Sequence, residues 1–181
     1  NCKPEEILDK WNTARNNPIE PKIVNSGVCQ EEVHLGQDLL EHGGLAEFPV
    51  PVSTPGFDNA PYFTAPFWVS KDPDTGINNV GAYRAMIKSP DRLGILNLLP
   101  QHLMQHWEKR REKGLPLQAA LVISPILTIG LVAVSKIPYG VDEYAIAGGI
   151  AGEPVELIRC KTVEIEVPAT AEIVIEGEFP T

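Results

Sequence analysis

Apolar residues recur at helical spacing from Pro4 to Asn16, where Ile7, Leu8, Trp11 and Ala14 are separated by charged and polar positions. That spacing predicts a short amphipathic helix, ended by Pro18 and Pro21. From there to Phe57, short apolar runs are punctuated by Gly and Pro. Phe48-Pro49-Val50-Pro51 lacks two donor amides and cannot sit inside a central strand. This stretch is expected to be an extended, irregular lead-in. Tyr62 to Val69 is aromatic and β-branched, Lys71 to Gly76 carries turn residues, and Ile77 to Ile87 is again apolar, so a hairpin is predicted. Pro100 to Lys113 sets Leu103, Met104 and Trp107 on one stripe and stops at Gly114, the pattern of a helix. Leu117 to Val134 suits one or two buried strands, or a strand and a short helix. Asp142 as cap and Gly152 as stop bracket a further helix to Ile150. The tail alternates over Val155 to Val167 and over Ala171 to Phe179, with a bend at Pro168-Ala169-Thr170. Many strands, few helices and no repeated strand–helix unit predict an α+β, mainly β fold or a β-barrel rather than a doubly wound sheet.

Composition narrows the function classes. A chain of 181 residues that is 43% hydrophobic can bury a substantial core. Its net charge of −9 excludes a surface built to gather phosphate backbones, so no nucleic-acid partner is expected. Cys2, Cys29 and Cys160 are odd in number, widely spaced and in no CxxC arrangement; they read as free thiols of a cytoplasmic protein. The longest apolar stretch, Ala119 to Ile137, is broken by Ser124, Pro125, Thr128, Gly130 and Ser135, so no membrane span is expected. The chain opens without methionine and closes soon after a strand-like run, and is read as incomplete.

Four polar stretches interrupt the apolar pattern. In Ile77-Asn78-Asn79-Val80-Gly81-Ala82-Tyr83-Arg84, Gly81 permits close backbone approach, and Arg84 is a fixed cation that can fork onto a carboxylate or phosphate. An exposed edge-strand Arg with a turn Asn fits the same residues. Gln101-His102 opens the charged helix, offering an imidazole that is either a metal ligand or a surface group. His106, four residues on, lacks the glutamate of a zinc-protease motif. Asp142-Glu143 precedes small residues and fits helix capping as well as ligation. Glu164, Glu166, Glu172, Glu176 and Glu178 line the closing strands, and parity puts Glu172, Glu176 and Glu178 on one face, opposite Ile173 and Ile175. Such glutamates also fit the wet face of a sheet. Asn, His and Glu together would suit a hard divalent cation, and a cation beside Arg84 would suit phosphate.

The combination INNVGAYRAM, PQHL and VDEYAIAGGIAGEPVELIRCKTVEIEVPATAEIVIEGE resembles the UbiD family of reversible decarboxylases, with PKIV, FPVP and APYF in the lead-in. The resemblance covers roughly Pro21 to Thr181. It implies a split β-barrel flavin-binding domain over 58–181, an N-terminal helix and lead-in over 1–57, and a C-terminal family segment that this chain lacks. It further implies prenylated FMN, a divalent metal such as Mn2+ held by Asn79, His102 and Glu143, and K+ near Ala133 to Ser135. Val80, Gly81, Ala82, Arg84 and Gln101 would complete the cofactor contacts, with Gln101 and Leu98 toward the substrate. Arg84 would face the substrate carboxylate, and Glu172 and Glu176 would be the catalytic acids, with Glu166 or Glu178 as replacements for one of them. In such enzymes carbon dioxide leaves an aromatic or α,β-unsaturated acid and a protein acid returns a proton to the same carbon. The expected partners are that acid, CO2, and further copies or a chain carrying the missing segment. Two other readings stay open: a cofactor-binding subunit inactive without a partner chain, and a split-barrel reductase using ordinary FMN.

Overall fold

The computed structural model describes residues 3–96 and 101–181; Leu98 and Pro100 lie outside them. The helix expected at the N-terminus is α1 (Ile7–Asn16), entered through a tight turn at Pro4–Glu6. In the lead-in, β1 (Lys22–Ile23) and α2 (Gln37–Glu41) stand among single helical turns at Val28–Gln30 and Gly44–Glu47. The chain then forms β2 (Tyr62–Phe63), β3 (Phe67–Lys71), β4 (Asn78–Ala82), β5 (Ala85–Ser89), β6 (Arg92–Ile95) and α3 (His102–Glu112). It closes with β7 (Leu117–Ile123), α4 (Leu127–Ala133), α5 (Glu143–Ala151), β8 (Glu156–Arg159), β9 (Glu166–Pro168) and β10 (Ile173–Phe179).

A four-stranded antiparallel sheet ordered β10-β7-β3-β4 is the frame. Two three-stranded sheets, β2-β5-β6 and β1-β8-β9, flank it, and among the described residues no sheet closes on itself. The fold is mixed α+β with more sheet than helix. Strand alternation gives the frame two apolar faces. Val69, Val80, Ala120 and Val122 pack with Ile129 and Val132 of α4, Tyr144 and Ile146 of α5, and Leu157 and Val167 of the β1-β8-β9 sheet. Trp68, Ala119 and Leu121 pack instead with Leu103 of α3, Phe63 and Ala85.

Several predicted runs divide. Tyr62 to Val69 splits into β2 and β3 on different sheets, with buried Pro66, which has no amide to donate, between them. Ile77 to Ile87 splits likewise into β4 and β5, where the Trp68 indole donates to the Tyr83 carbonyl at 3.0 Å. Leu117 to Val134 is a strand followed by a short helix, broken at Ser124 (φ 53°) and Pro125. Val155 to Val167 is not one strand. It turns between β8 and β9, closed by the Cys160 amide donating to the Ile165 carbonyl at 2.9 Å.

Helix α5 lies directly on the backbone of α1 and the residues after it. A Cβ at Gly149 would stand 2.8 Å from the Ala14 carbonyl oxygen, and one at Gly148 would stand 2.6 Å from that of Ile19. Ile19 also donates its amide to the Ala145 carbonyl at 2.9 Å. Only glycine allows so close an approach.

Candidate metal and flavin site at the sheet edge

Strand β4 is an outer strand of the frame, so among the described residues its far side lacks a sheet neighbour. Two helices begin beside it. Gln101 precedes α3 in extended conformation, so His102 is that helix's first residue. Asp142 caps α5 by accepting from the Tyr144 amide at 2.8 Å, and Asn78 of β4 donates to its other oxygen at 2.9 Å, fixing α5 to the strand. Glu143, the first residue of α5, is thereby carried to the strand edge.

Asn79, His102 and Glu143 meet there. Asn79 Oδ1 lies 3.1 Å from His102 Nδ1, and Glu143 Oε1 lies 3.7 Å from the same nitrogen. Glu143 Oε2 accepts from the Val80 amide at 3.4 Å. Glu143 is only 4% exposed, and burial pushes its carboxyl up to about 8, with the charge of Asp142 adding to the rise and the amides of Glu143 and Val80 opposing it. Burial lowers the His102 imidazole. Asn79 Nδ2 and Gln101 Oε1 are buried without a hydrogen-bond partner among the described residues. A buried carboxylate, an imidazole, an amide oxygen and orphaned polar atoms make a donor set that a divalent cation would complete. Right-angle donors on bonds of about 2.1 Å stand about 3 Å apart, close to the Asn79–His102 separation.

A second polar layer supports His102. The Tyr139 ring meets it edge-on at 5.1 Å between centroids, and the Tyr139 hydroxyl donates to Asp72. Burial would raise the Asp72 carboxyl, but hydrogen bonds from Tyr139, the Asp74 amide and Lys109 outweigh it and hold the group well below the usual range. Buried His106 hydrogen-bonds Ser70 Oγ at 3.0 Å, and burial pushes its imidazole down to about 4. The Tyr83 hydroxyl lies where a side chain at position 81 would project, 2.5 Å from such a Cβ, and burial followed by the Glu143 charge raises it to about 12. Sequence reasoning missed Tyr83, Tyr139, Ser70 and Asp72. Tyr83 stands within the INNVGAYRAM motif, whereas Asp72 is indistinguishable from a turn residue.

The other expected site residues are placed differently. Val80 turns its side chain into the core and offers only its amide, Gly81 is buried and Ala82 is half-buried at the strand end. Arg84 is exposed just beyond β4, with no hydrogen bond or ion pair to a described residue. The glutamates expected to act with it stand on the opposite outer strand of the frame, β10, and just ahead of it. Glu176 pairs in register with Ala120, which pairs with Val69 and then Val80, so it lies three strands away, about 14 Å at the usual spacing. Its two oxygens accept from the Lys161 amide at 2.8 Å and from the Thr162 amide and hydroxyl at 2.6 Å, closing the β8–β9 turn. Glu172 is exposed ahead of β10, and its amide donates to the Ile123 carbonyl at 3.2 Å. Of the possible replacements, Glu166 pairs with Lys71 and Glu178 is exposed. Ser135, near the expected K+ position, donates its hydroxyl to the Leu131 carbonyl at 2.7 Å.

Residues 22–181 match the family model described as the UbiD 3-octaprenyl-4-hydroxybenzoate carboxy-lyase Rift-related domain. The chain belongs to the UbiD family. Among its relatives is the anhydromevalonate phosphate decarboxylase of Methanothermobacter thermautotrophicus, 32% identical over 181 residues, or 99% of this chain and 40% of the relative. The UbiD-class enzyme HmfF of Pelotomaculum thermopropionicum, solved with FMN, superposes with a TM-score of 0.86 at 38% identity, covering 97% of this chain and 39% of that one. An evolved dimeric form of the same enzyme, solved with prFMN, gives the same TM-score and identity, covering 97% of this chain and 40% of that one. The chain thus spans about two-fifths of the length of these relatives.

Proposed function

We propose that this chain forms the flavin- and metal-holding part of a reversible carboxy-lyase acting on an aromatic or α,β-unsaturated acid through prenylated FMN. The observation that carries the reading is the convergence of Asn79, His102 and Glu143 at the edge of β4, with Asn79 Nδ2 and Gln101 Oε1 buried and unpartnered among the described residues. Mn2+ or a similar cation would be held by those three side chains. It would balance the charge of buried Glu143 and tie the flavin phosphate to the protein. The first turns of α3 and α5 both open at this point, and their N-terminal dipoles favour an anion. Oxygens near Ala133 to Ser135 are the proposed K+ ligands.

When bound, the flavin supplies the electron sink that lets the carboxylate depart as CO2. The chain's own residues bind and orient. Arg84, exposed beyond β4, would meet the substrate carboxylate, and Val80 to Ala82 would offer the backbone that holds the flavin. A protein acid then returns a proton to the carbon that lost CO2. Glu172 is the better placed of the two expected acids, because Glu176 is engaged by the β8–β9 turn. Residues 58–181 would be the cofactor domain, its separate sheets forming the split barrel, with 1–57 as lead-in. The assembly would be cytoplasmic, either a homo-oligomer or a complex with a chain carrying the rest of the family's length. Among the described residues no helix is long and apolar enough to cross a membrane.

The test is co-production with a flavin prenyltransferase, followed by metal analysis and flavin absorbance on the parent and on Glu143→Gln. The parent should retain flavin and one divalent cation at this edge, and Glu143→Gln should lose both. Equal retention by the variant would refute the reading. Glu143→Gln should also stabilise the cation-free chain by about 3 kcal/mol at pH 7, because the folded carboxyl titrates near 8 rather than 4.5 and its ionisation opposes folding as pH rises through that interval.

A further inference from the structure

A second cluster of metal-binding side chains lies in the lead-in, on elements separate from the sheet edge. One ligand atom from each of His34, His42 and Glu47 falls within 4.8 Å of the others. The two imidazole rings face each other at 4.1 Å between centroids, tilted by 36°. His34 Nδ1 stands 3.4 Å from Glu47 Oε2. Tetrahedral zinc, with Zn–N of about 2.0–2.1 Å and Zn–O of about 2.0–2.2 Å, separates its donors by about 3.4 Å. The opposite nitrogen, His34 Nε2, is hydrogen-bonded to Glu32 Oε1 at 3.0 Å. A carboxylate on the far side of a histidine fixes the tautomer that leaves the other nitrogen free for a metal. Asp38 Oδ1 lies 3.6 Å from His42 Nε2, so three carboxylates surround two imidazoles.

The chain is shaped to bring these groups together. His42 follows α2, its amide donating to the Asp38 carbonyl at 3.2 Å. Gly43 and Gly44 take φ of 89° and 57°, which turns the chain back so that Glu47 returns to His34. The Leu45 amide anchors the turn on the Pro90 carbonyl at 2.7 Å. Little else holds the segment. Leu45 is the apolar side chain buried between residues 32 and 47, while Val33, Leu35 and Leu40 are 39–49% exposed. A segment with so little core gains most from a metal cross-link.

We propose that His34, His42 and Glu47 bind a divalent transition cation, zinc by the character of the donors, which staples residues 32–47. A rotation of the half-exposed His42 ring brings the third donor in, and solvent fills the fourth position. Glu32 acts as a positioning residue. The site does not depend on the flavin reading, and its test separates the two.

The Glu143→Gln chain, stripped with chelator, is titrated calorimetrically with Zn2+ and spectroscopically with Co2+, whose visible absorption reports tetrahedral geometry. One equivalent should bind with a tetrahedral Co2+ spectrum. Adding His42→Ala or Glu47→Gln should abolish it at unchanged far-UV circular dichroism, and adding Glu32→Gln should weaken it by about 10–100-fold. Absence of Zn2+ binding by the Glu143→Gln chain would overturn the proposal. So would unchanged stoichiometry and affinity in both His42→Ala and Glu47→Gln.

Discussion

The edge of β4 and the segment 32–47 both gather imidazoles and carboxylates, but they position them by opposite means. At the edge, Asn79 and Glu143 are buried on a strand and a helix whose other faces belong to the core. In the lead-in, His42 and Glu47 are exposed, and the geometry rests on two glycines and one carbonyl. The difference teaches that burial sets the sign of a histidine's coupling to stability. His106, deep behind the edge, is pushed down to about 4 by burial. His34 is raised, chiefly by its hydrogen bond to Glu32.

That comparison can be broken or sharpened by experiment. The largest effect should come from Leu121→Ala, which empties a fully buried position between β3 and β10 and should cost about 2–5 kcal/mol in urea unfolding. Leu40→Ala, at a position 49% exposed, should stay within about 0.5 kcal/mol. Comparable losses from the two would erase the contrast.

Next in size is an acid effect. The folded chain holds His106 neutral, while the unfolded chain takes up the proton below about 6.5, so stability should fall as pH drops from 6.5 through 4. The full loss is about 3 kcal/mol, and His106→Gln should flatten that limb in pH-resolved denaturation. His34 has the reverse sign: its contribution is present below its ordinary value and fades as pH rises past its raised one. A His34→Gln chain should therefore differ from the parent most in acid.

A smaller effect than the acid limb is expected at a cap. Asp142→Ala removes both the Tyr144 bond and the Asn78 bond and should cost about 1 kcal/mol, while loosening Glu143 enough to weaken the proposed cation binding. Thermal melts with and without Mn2+ would separate the two effects.

Local signals carried far in this chain. α1, α3 and the capped α5 were legible because their stripes and stops are contiguous, and the β3–β4 hairpin because its turn residues are explicit. What was not legible depends on partners far along the chain. The two-residue β1 exists through its parallel pairing with β8, more than 130 positions on. The 160–165 turn depends on Glu176, whose carboxylate reads from sequence as a solvated or catalytic group. Asn79, His102 and Glu143 were reached through motif resemblance, and no periodicity would have joined them. The Asp72–Tyr139 contact beneath them joins residues 67 positions apart, one of which reads as a turn.

The close seat of α5 on α1 gives positions 148 and 149 an importance that no ligand contact would reveal. Glu143 stands only five residues before Gly148, about 7.5 Å along the same rigid helix. A methyl group at either glycine would lever the whole helix away from the Ala14 and Ile19 carbonyls and carry the carboxylate with it. In a mutational scan scored by cation retention, these two glycines would rank with the proposed ligand positions, and the amino-terminal helix would emerge as the gauge that sets where the Glu143 carboxylate stops.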